Sequence, residues 1–179
     1  MLMRADHSTL LVIDIQERLC PALHEAEALV ENSAWLIGVA RRLNVPVLVS
    51  EQYPKGLGPT VAALQPLLEG VMPVEKLRFS TAREKALLAQ PGGERRQFVV
   101  CGAETHVCVL QTVLELLEAG REVFVVEEAV TSRTLANKHL ALARMRQAGA
   151  QIVSREMVAF EWLELAGTEV FKDISKRVR

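Results

Sequence analysis

The chain has 179 residues, of which 50% are hydrophobic, and a formal net charge of −1. This fits one compact domain over residues 1–179, and a near-neutral charge excludes nucleic acid as the main partner because no basic stripe can neutralise phosphates. No apolar run reaches the roughly 18 residues that span a bilayer, so we expect no membrane partner. Three cysteines offer no paired disulfide framework, which favours a reduced, cytoplasmic protein.

Apolar runs alternate with amphipathic segments along the whole chain. Strands are predicted at 8–14, 45–50, 71–77, 96–102, 121–129 and 151–154, and helices at 25–43, 61–70, 81–90 (capped by Ser80), 108–120, 135–150 and from Arg155 onwards. Strands rich in Val, Ile and Leu that alternate with helices are typical of βαβ units. We predict an α/β fold: a single three-layer, doubly wound, Rossmann-like domain whose six-stranded parallel sheet has the order 3-2-1-4-5-6.

In such sheets, ligands bind beyond the carboxyl ends of the strands, at the point where the strand order reverses. Asp14 ends the first predicted strand, Lys76 ends the third, and Cys108 lies just after the fourth. The predicted order brings these three exits to one crevice. Further candidates that face a small-molecule substrate there are Gln16, Gln52 and Tyr53.

Cys108 is the candidate nucleophile among the cysteines. It lies at the start of a predicted helix, where free backbone N–H groups and the helix dipole favour a thiolate. The Lys76 ammonium would lower the pKa of this thiol further, and Asp14 would hold the lysine and accept the thiol proton. Cys101 lies inside a buried strand and is expected to pack as a small hydrophobic residue, and Cys20 is expected to have no role. Phe79 and Trp162 are expected to lie in the core.

The residues alone leave other interpretations open. Cys108 could be a packed helix-start cysteine, Asp14 a structural carboxylate and Lys76 a solvated side chain. His106 suggests a Cys–His dyad, although residues two apart do not face each other on a helix. The histidines lack metal-ligand spacing, and the exit of the first strand lacks both the glycine-rich turn of dinucleotide sites and the second aspartate of phosphatases. The G-x-S-x-G elbow of serine hydrolases is also absent.

Three segments resemble one known family: "LLVIDIQERL" (10–19), "EKLRFS" (75–80) and above all "GAETHVCV" (102–109). The chain is similar to the isochorismatase-like cysteine hydrolases, which include nicotinamidases and N-carbamoylsarcosine amidohydrolase. "EQYPKGLGPTV" (51–61) resembles the subgroup named for its isochorismatase domain. The likeness extends over nearly the whole chain.

The resemblance implies a catalytic triad of Asp14, Lys76 and Cys108. It also implies an oxyanion hole made by the backbone N–H groups of Glu104 and Cys108, a cis peptide between Ala103 and Glu104, and a homo-oligomer. Nicotinamidases hold a metal with an Asp and two histidines after the second strand. The corresponding "SEQYPKGLGPT" has no histidine, so we expect neither metal nor other cofactor.

The expected function is a cysteine-dependent hydrolase that cleaves a C–N bond, of the amide or carbamoyl type, in a small molecule through a thioester. True isochorismatases cleave a vinyl ether by protonation and need no thiol nucleophile, so the presence of Cys108 favours acyl chemistry. A vinyl-ether hydrolase and a non-catalytic binding or scaffold protein are the alternatives.

Overall fold

The structure, a computed structural model, describes residues 1–176. Within them the strands are β1 (Ser8–Ile13), β2 (Val47–Gln52), β3 (Val74–Lys76), β4 (Gln97–Ala103), β5 (Glu122–Thr131) and β6 (Gln151–Val153). The helices are α1 (Ala26–Arg42), α2 (Pro54–Leu57), α3 (Lys85–Leu88), α4 (Leu110–Glu118), α5 (Leu135–Gln147), α6 (Arg155–Leu163) and α7 (Glu169–Ser175). Short 3₁₀ helices span Cys20–Ala22 and Gln65–Leu68, and a π-helical turn spans Thr105–Val109.

The strands form one parallel sheet in the order β3-β2-β1-β4-β5-β6, which confirms the predicted topology. Side chains alternate across it, so Leu10 and Val12 of β1 pack in one core layer and Leu11 and Ile13 in the other. Helices α1, α6 and α7 cover the first layer, and α3, α4 and α5 cover the second. No helix in the described part of the chain has both the length and the apolar character needed to cross a membrane.

Two local predictions near the sheet edge were wrong. β2 continues to Gln52, because its last residues pair with β3 and Gln52 lies opposite Lys76. The predicted helix over 81–90 is reduced to the four residues of α3, and Ser80 does not cap it. Thr81 instead donates its hydroxyl to Ser50 Oγ at 3.2 Å and its backbone N–H to Thr112 Oγ1 at 2.9 Å. These tertiary contacts hold the segment before α3 in a non-helical path.

Cys101 is fully buried in the middle of β4, as the sequence predicts. Burial raises the pKa of its thiol to about 12, because the surrounding apolar side chains do not solvate a thiolate. No ionised group acts on this thiol, and it lies within the apolar core, so Cys101 contributes to packing and has no partner to activate it as a nucleophile.

The raised pKa makes folding stability sensitive to alkaline pH. The unfolded thiol ionises from about pH 8.5 whereas the folded thiol keeps its proton, so the unfolded state is favoured as pH rises. Between pH 9 and 10, we expect the wild type to lose about 1 kcal/mol more unfolding free energy than Cys101→Ala. Urea unfolding of both proteins at pH 7, 9 and 10 measures this difference, and equal losses would refute it.

Candidate active site

Asp14 leaves the end of β1 in a left-handed conformation, with φ 51°. Strict alternation would send its side chain to the face that carries Val12. The left-handed backbone, which Asp tolerates better than most residues, redirects the carboxylate to the opposite face. There Asp14 Oδ1 accepts a hydrogen bond from Ser50 Oγ at 2.7 Å. The carboxylate is fully buried, so it needs a compensating charge.

Lys76 supplies that charge from the end of β3. Its Nζ lies 2.6 Å from Asp14 Oδ2, and both side chains are inaccessible to solvent. The same ammonium donates to Gln52 Oε1 at 2.7 Å and to the Phe79 carbonyl at 3.0 Å. All three N–H donors of Lys76 are therefore used, which fixes the ammonium beside the carboxylate.

Gln52 is the residue that joins this ion pair to the sulfur. Its Oε1, which accepts from Lys76, lies 4.0 Å from Cys108 Sγ, and its Nε2 donates to the Leu77 carbonyl at 2.9 Å. The Asp14, Lys76, Gln52 and Cys108 side chains thus meet in one buried cluster. We refer to this cluster as the Asp–Lys–Cys site.

Gln16 stabilises the site by binding the backbone of Gln52. It is fully buried, and its Nε2 donates to the carbonyls of Gln52 and Gly58 at 3.0 and 2.7 Å. Its Oε1 accepts the backbone N–H of Gln52 at 2.8 Å. Both N–H donors of the amide are therefore used by backbone carbonyls, which gives Gln16 a structural role; its contact with substrate stays a prediction. Tyr53, by contrast, is 51% exposed at the exit of β2.

The turn after β4 carries Cys108 to the Asp–Lys–Cys site. Gly102 precedes this turn with φ 127°, and a Cβ on it would lie 2.0 Å from the Ile13 carbonyl oxygen. Only glycine allows β4 to pass this close to the end of β1. The peptide bond between Ala103 and Glu104 is cis. Cys108 lies in the π-helical turn before α4, a feature that is frequent at functional sites.

The Cys108 thiol does not have the low pKa that the sequence predicts. Burial, foremost, raises its pKa to about 12, and the Asp14 carboxylate raises it as well. The Lys76 ammonium lowers this pKa, but its charge is already balanced by Asp14, so burial dominates. The sulfur therefore rests as a neutral thiol beside an Asp–Lys ion pair.

His106 is not paired with Cys108, so the dyad alternative is wrong. Its Nδ1 lies 3.0 Å from Ser132 Oγ, and its Nε2 lies 3.3 Å from Asn137 Nδ2. Both ring nitrogens are thus engaged on the side of the turn that faces the end of β5. Within residues 1–176, no three His, Cys, Asp or Glu side chains are grouped as metal ligands.

Several residues that contact the site have roles that the sequence did not predict. Phe79, expected in the core, is 51% exposed although its carbonyl binds Lys76, whereas Trp162 is buried as expected. Ser50 and Thr81 extend a hydrogen-bond chain to Asp14.

Arg133, which lies just after β5, binds the Glu104 carboxylate. The rule that ligands bind beyond the carboxyl ends of parallel strands applies to this strand too and could have drawn attention to Arg133.

Relatives and solved structures agree with this architecture. Isochorismatase domain-containing protein 2A of Mus musculus is 37% identical over 174 residues, which cover 97% of this chain and 84% of the mouse protein. The structure of MAR1 ribonuclease from Caenorhabditis elegans matches with a TM-score of 0.92 and 35% identity, covering 98% of this chain and 91% of that one.

Two structures of bacterial YcaC are also similar, each at 25% identity. YcaC from Pseudomonas aeruginosa, described with covalent acrylamide, has a TM-score of 0.87 and covers 97% of this chain and 89% of its own. YcaC from Escherichia coli, described as an octameric hydrolase of unknown specificity, has a TM-score of 0.84 and covers 92% and 83%. The sequence model of the isochorismatase domain matches residues 8–157. This chain therefore belongs to the isochorismatase family of hydrolases.

Proposed function

We propose that the protein is a cysteine-dependent hydrolase that cleaves a C–N bond, of the amide or carbamoyl type, in a small molecule. The observation that carries the proposal is the meeting of a thiol, a carboxylate and an ammonium from three different strand ends in one buried cluster. Unpaired charges are costly in such a place, and groups of these types serve as nucleophile, base and electrostatic support. Asp14, Lys76 and Cys108 are the proposed triad.

In the first half of the reaction, Asp14 takes the proton of the Cys108 thiol as the sulfur attacks the carbonyl carbon. Because the resting thiol is neutral, proton transfer accompanies the attack and does not precede it. The carbonyl electrons move to oxygen, and the backbone N–H groups of Glu104 and Cys108 bind this oxyanion. When the tetrahedral species collapses, the C–N bond breaks, and Asp14 gives the proton to the leaving amine.

In the second half, water releases the acyl group. Asp14, ionised again, takes a proton from water, and the hydroxide attacks the thioester carbon. The C–S bond breaks, the sulfur regains the proton from Asp14, and the carboxylic product leaves. Lys76 transfers no proton in this scheme; its three hydrogen bonds hold Asp14, Gln52 and the chain at Phe79 in place. No cofactor takes part in this scheme.

The Pseudomonas aeruginosa YcaC structure supports a nucleophilic site in this fold. It is described with covalently bound acrylamide, and acrylamide is an electrophile that reacts with thiolates more readily than with most protein groups. Thiolates add to the alkene carbon of acrylamide, so the adduct supports the presence of a nucleophile in this fold.

A substrate screen tests the proposal. Wild-type protein would be incubated with small amides, ureides, carbamoyl compounds and a vinyl ether, and release of ammonia, amine or pyruvate-type product would be measured with and without EDTA. We expect cleavage of at least one C–N substrate that EDTA does not reduce. Cleavage of the vinyl ether alone would contradict the proposal, and cleavage of nothing would favour the scaffold alternative.

The proposal includes a cytoplasmic homo-oligomer. Leu2, Met157, Phe160 and Leu165 are large apolar residues that remain exposed around the start of the chain and α6. Exposed apolar patches of this kind are typical of subunit contacts. The Escherichia coli YcaC structure is described as octameric. All three cysteines are free, which fits a reducing compartment.

A further inference from the structure

The turn that carries Cys108 is fastened to the segment after β5 through Glu104. This carboxylate is held by the fork of Arg133: Nε donates to Oε1 at 2.9 Å and Nη2 to Oε2 at 2.8 Å. The backbone N–H of Arg133 adds a third bond to Oε1 at 3.2 Å. The Glu104 side chain is 8% exposed, whereas that of Arg133 is 60% exposed. Arg133 thus binds Glu104 from the solvent side of the turn, and we refer to this Arg133–Glu104 pair as the clamp.

A second attachment lies two residues further along the turn. Asn137 Nδ2 can only donate, so the His106 Nε2 that it contacts at 3.3 Å is an acceptor. The proton of the neutral ring is then on Nδ1, which donates to Ser132 Oγ at 3.0 Å. Glu104 and His106 therefore fix the two sides of the same turn to residues 132–137, and Cys108 is the next buried residue along it.

We propose that Arg133 is a positioning residue that orients the Glu104 amide toward the reacting carbonyl. The inference rests on the proposed function, in which this N–H binds the oxyanion. An oxyanion-hole donor is worth roughly 10²–10³ in kcat only when it is held at hydrogen-bond distance from the developing charge. Arg133 never touches the substrate in this account. It acts by fixing the Glu104 side chain, and hence the backbone to which that side chain is attached.

The geometry explains why an arginine suits this role. A guanidinium presents two parallel donors to the two carboxylate oxygens and so fixes orientation as well as distance, which a lysine ammonium does not. An ion pair with so exposed an arginine contributes little to stability, typically below about 1 kcal/mol. The clamp is therefore expected to affect catalysis more than folding, which separates a positioning role from a purely structural one.

The test compares Arg133→Met and Arg133→Lys with Arg96→Met. Arg96 forms a similar exposed pair with Glu122, 2.5 Å long, at the opposite end of the sheet from the site, which makes it a matched control. The probe is p-nitrophenyl acetate, whose hydrolysis is followed by release of p-nitrophenolate, with urea unfolding measured for each variant.

For Arg133→Met, we expect kcat to fall about tenfold or more, with KM changed less than about threefold and stability close to that of Arg96→Met. Arg133→Lys should recover only part of kcat, and millimolar guanidinium should raise the kcat of an Arg133→Ala protein. A kcat for Arg133→Met within twofold of the Arg96→Met value, or one that falls only with the folded fraction, would overturn the inference.

A Cys108→Ala protein, assayed in parallel, separates this inference from the proposed function. If the wild type exceeds Cys108→Ala neither on this ester nor on any C–N substrate of the screen above, the proposed function fails and the inference fails with it. If hydrolysis requires Cys108 but not Arg133, only the role of Arg133 is refuted.

Discussion

Replacing Cys108 with alanine is expected to lower kcat by at least about a thousandfold on any substrate that the wild type hydrolyses. The sulfur forms the covalent bond in the proposed scheme, and residues that act as one unit in such sites lose nearly all turnover when the nucleophile is removed. No other thiol can replace it: Cys101 is fully buried among core side chains within β4, with neither Asp14 nor Lys76 acting on it, and Cys20 lies at the start of the first crossover.

Cys101→Ala is the matched control for this experiment. It removes a thiol of the same chain seven residues away and should cost about 1 kcal/mol of stability through lost packing, with kcat within about twofold of the wild type. Steady-state kinetics of both variants at one temperature, with the folded fraction checked by circular dichroism, measures the contrast. Full activity in Cys108→Ala would refute the nucleophile assignment.

Lys76→Met has the second large effect, because it leaves Asp14 as an uncompensated buried carboxylate. Both side chains of this pair are inaccessible to solvent. Breaking such a pair by removing one partner typically costs about 3–5 kcal/mol, so we expect a loss of this size in the free energy of unfolding. Activity should be lost as well, since the Lys76 ammonium that holds Asp14 and Gln52 beside the thiol would be gone.

The double variant Asp14→Asn/Lys76→Met distinguishes the two effects. It removes both charges, so its stability should exceed that of Lys76→Met by about 2 kcal/mol, while its activity should stay as low. Urea unfolding and ester hydrolysis of the two single variants and the double variant measure this cycle. If the double variant is no more stable than Lys76→Met, the ion pair does not account for the stability loss.

The positions of Asp14, Lys76 and Cys108 follow from general rules of parallel sheets, and for that reason the sequence predicts them. Asp14 directly follows β1, Lys76 ends β3, and Cys108 lies in the turn after β4, and the carboxyl ends of these strands meet at one edge. The contacts made by these side chains do not follow in the same way. That Gln52 joins Lys76 to Cys108 depends on β2 continuing two residues beyond its predicted end.

The pKa of the Cys108 thiol was predicted to be lowered, whereas it is raised, and the reason is related. A nearby lysine predicts a lowered pKa, but whether its charge is free or already balanced depends on a residue 62 positions away, Asp14. Burial of the sulfur also depends on the packing of the whole turn. Likewise, Phe79 is exposed because its backbone, and not its ring, is the part that contacts the site.

Capture of the acyl-enzyme shows directly whether Cys108 forms the covalent intermediate. Wild-type protein mixed with p-nitrophenyl acetate would be quenched in acid, which preserves thioesters, and digested with trypsin. Cys101 and Cys108 lie between Arg96 and Arg121 and remain in one peptide, so fragmentation by mass spectrometry must assign the modified sulfur. The account predicts an acetyl group on Cys108 that turns over with the substrate. Acetylation elsewhere, or turnover without any acetylated Cys108, would contradict it.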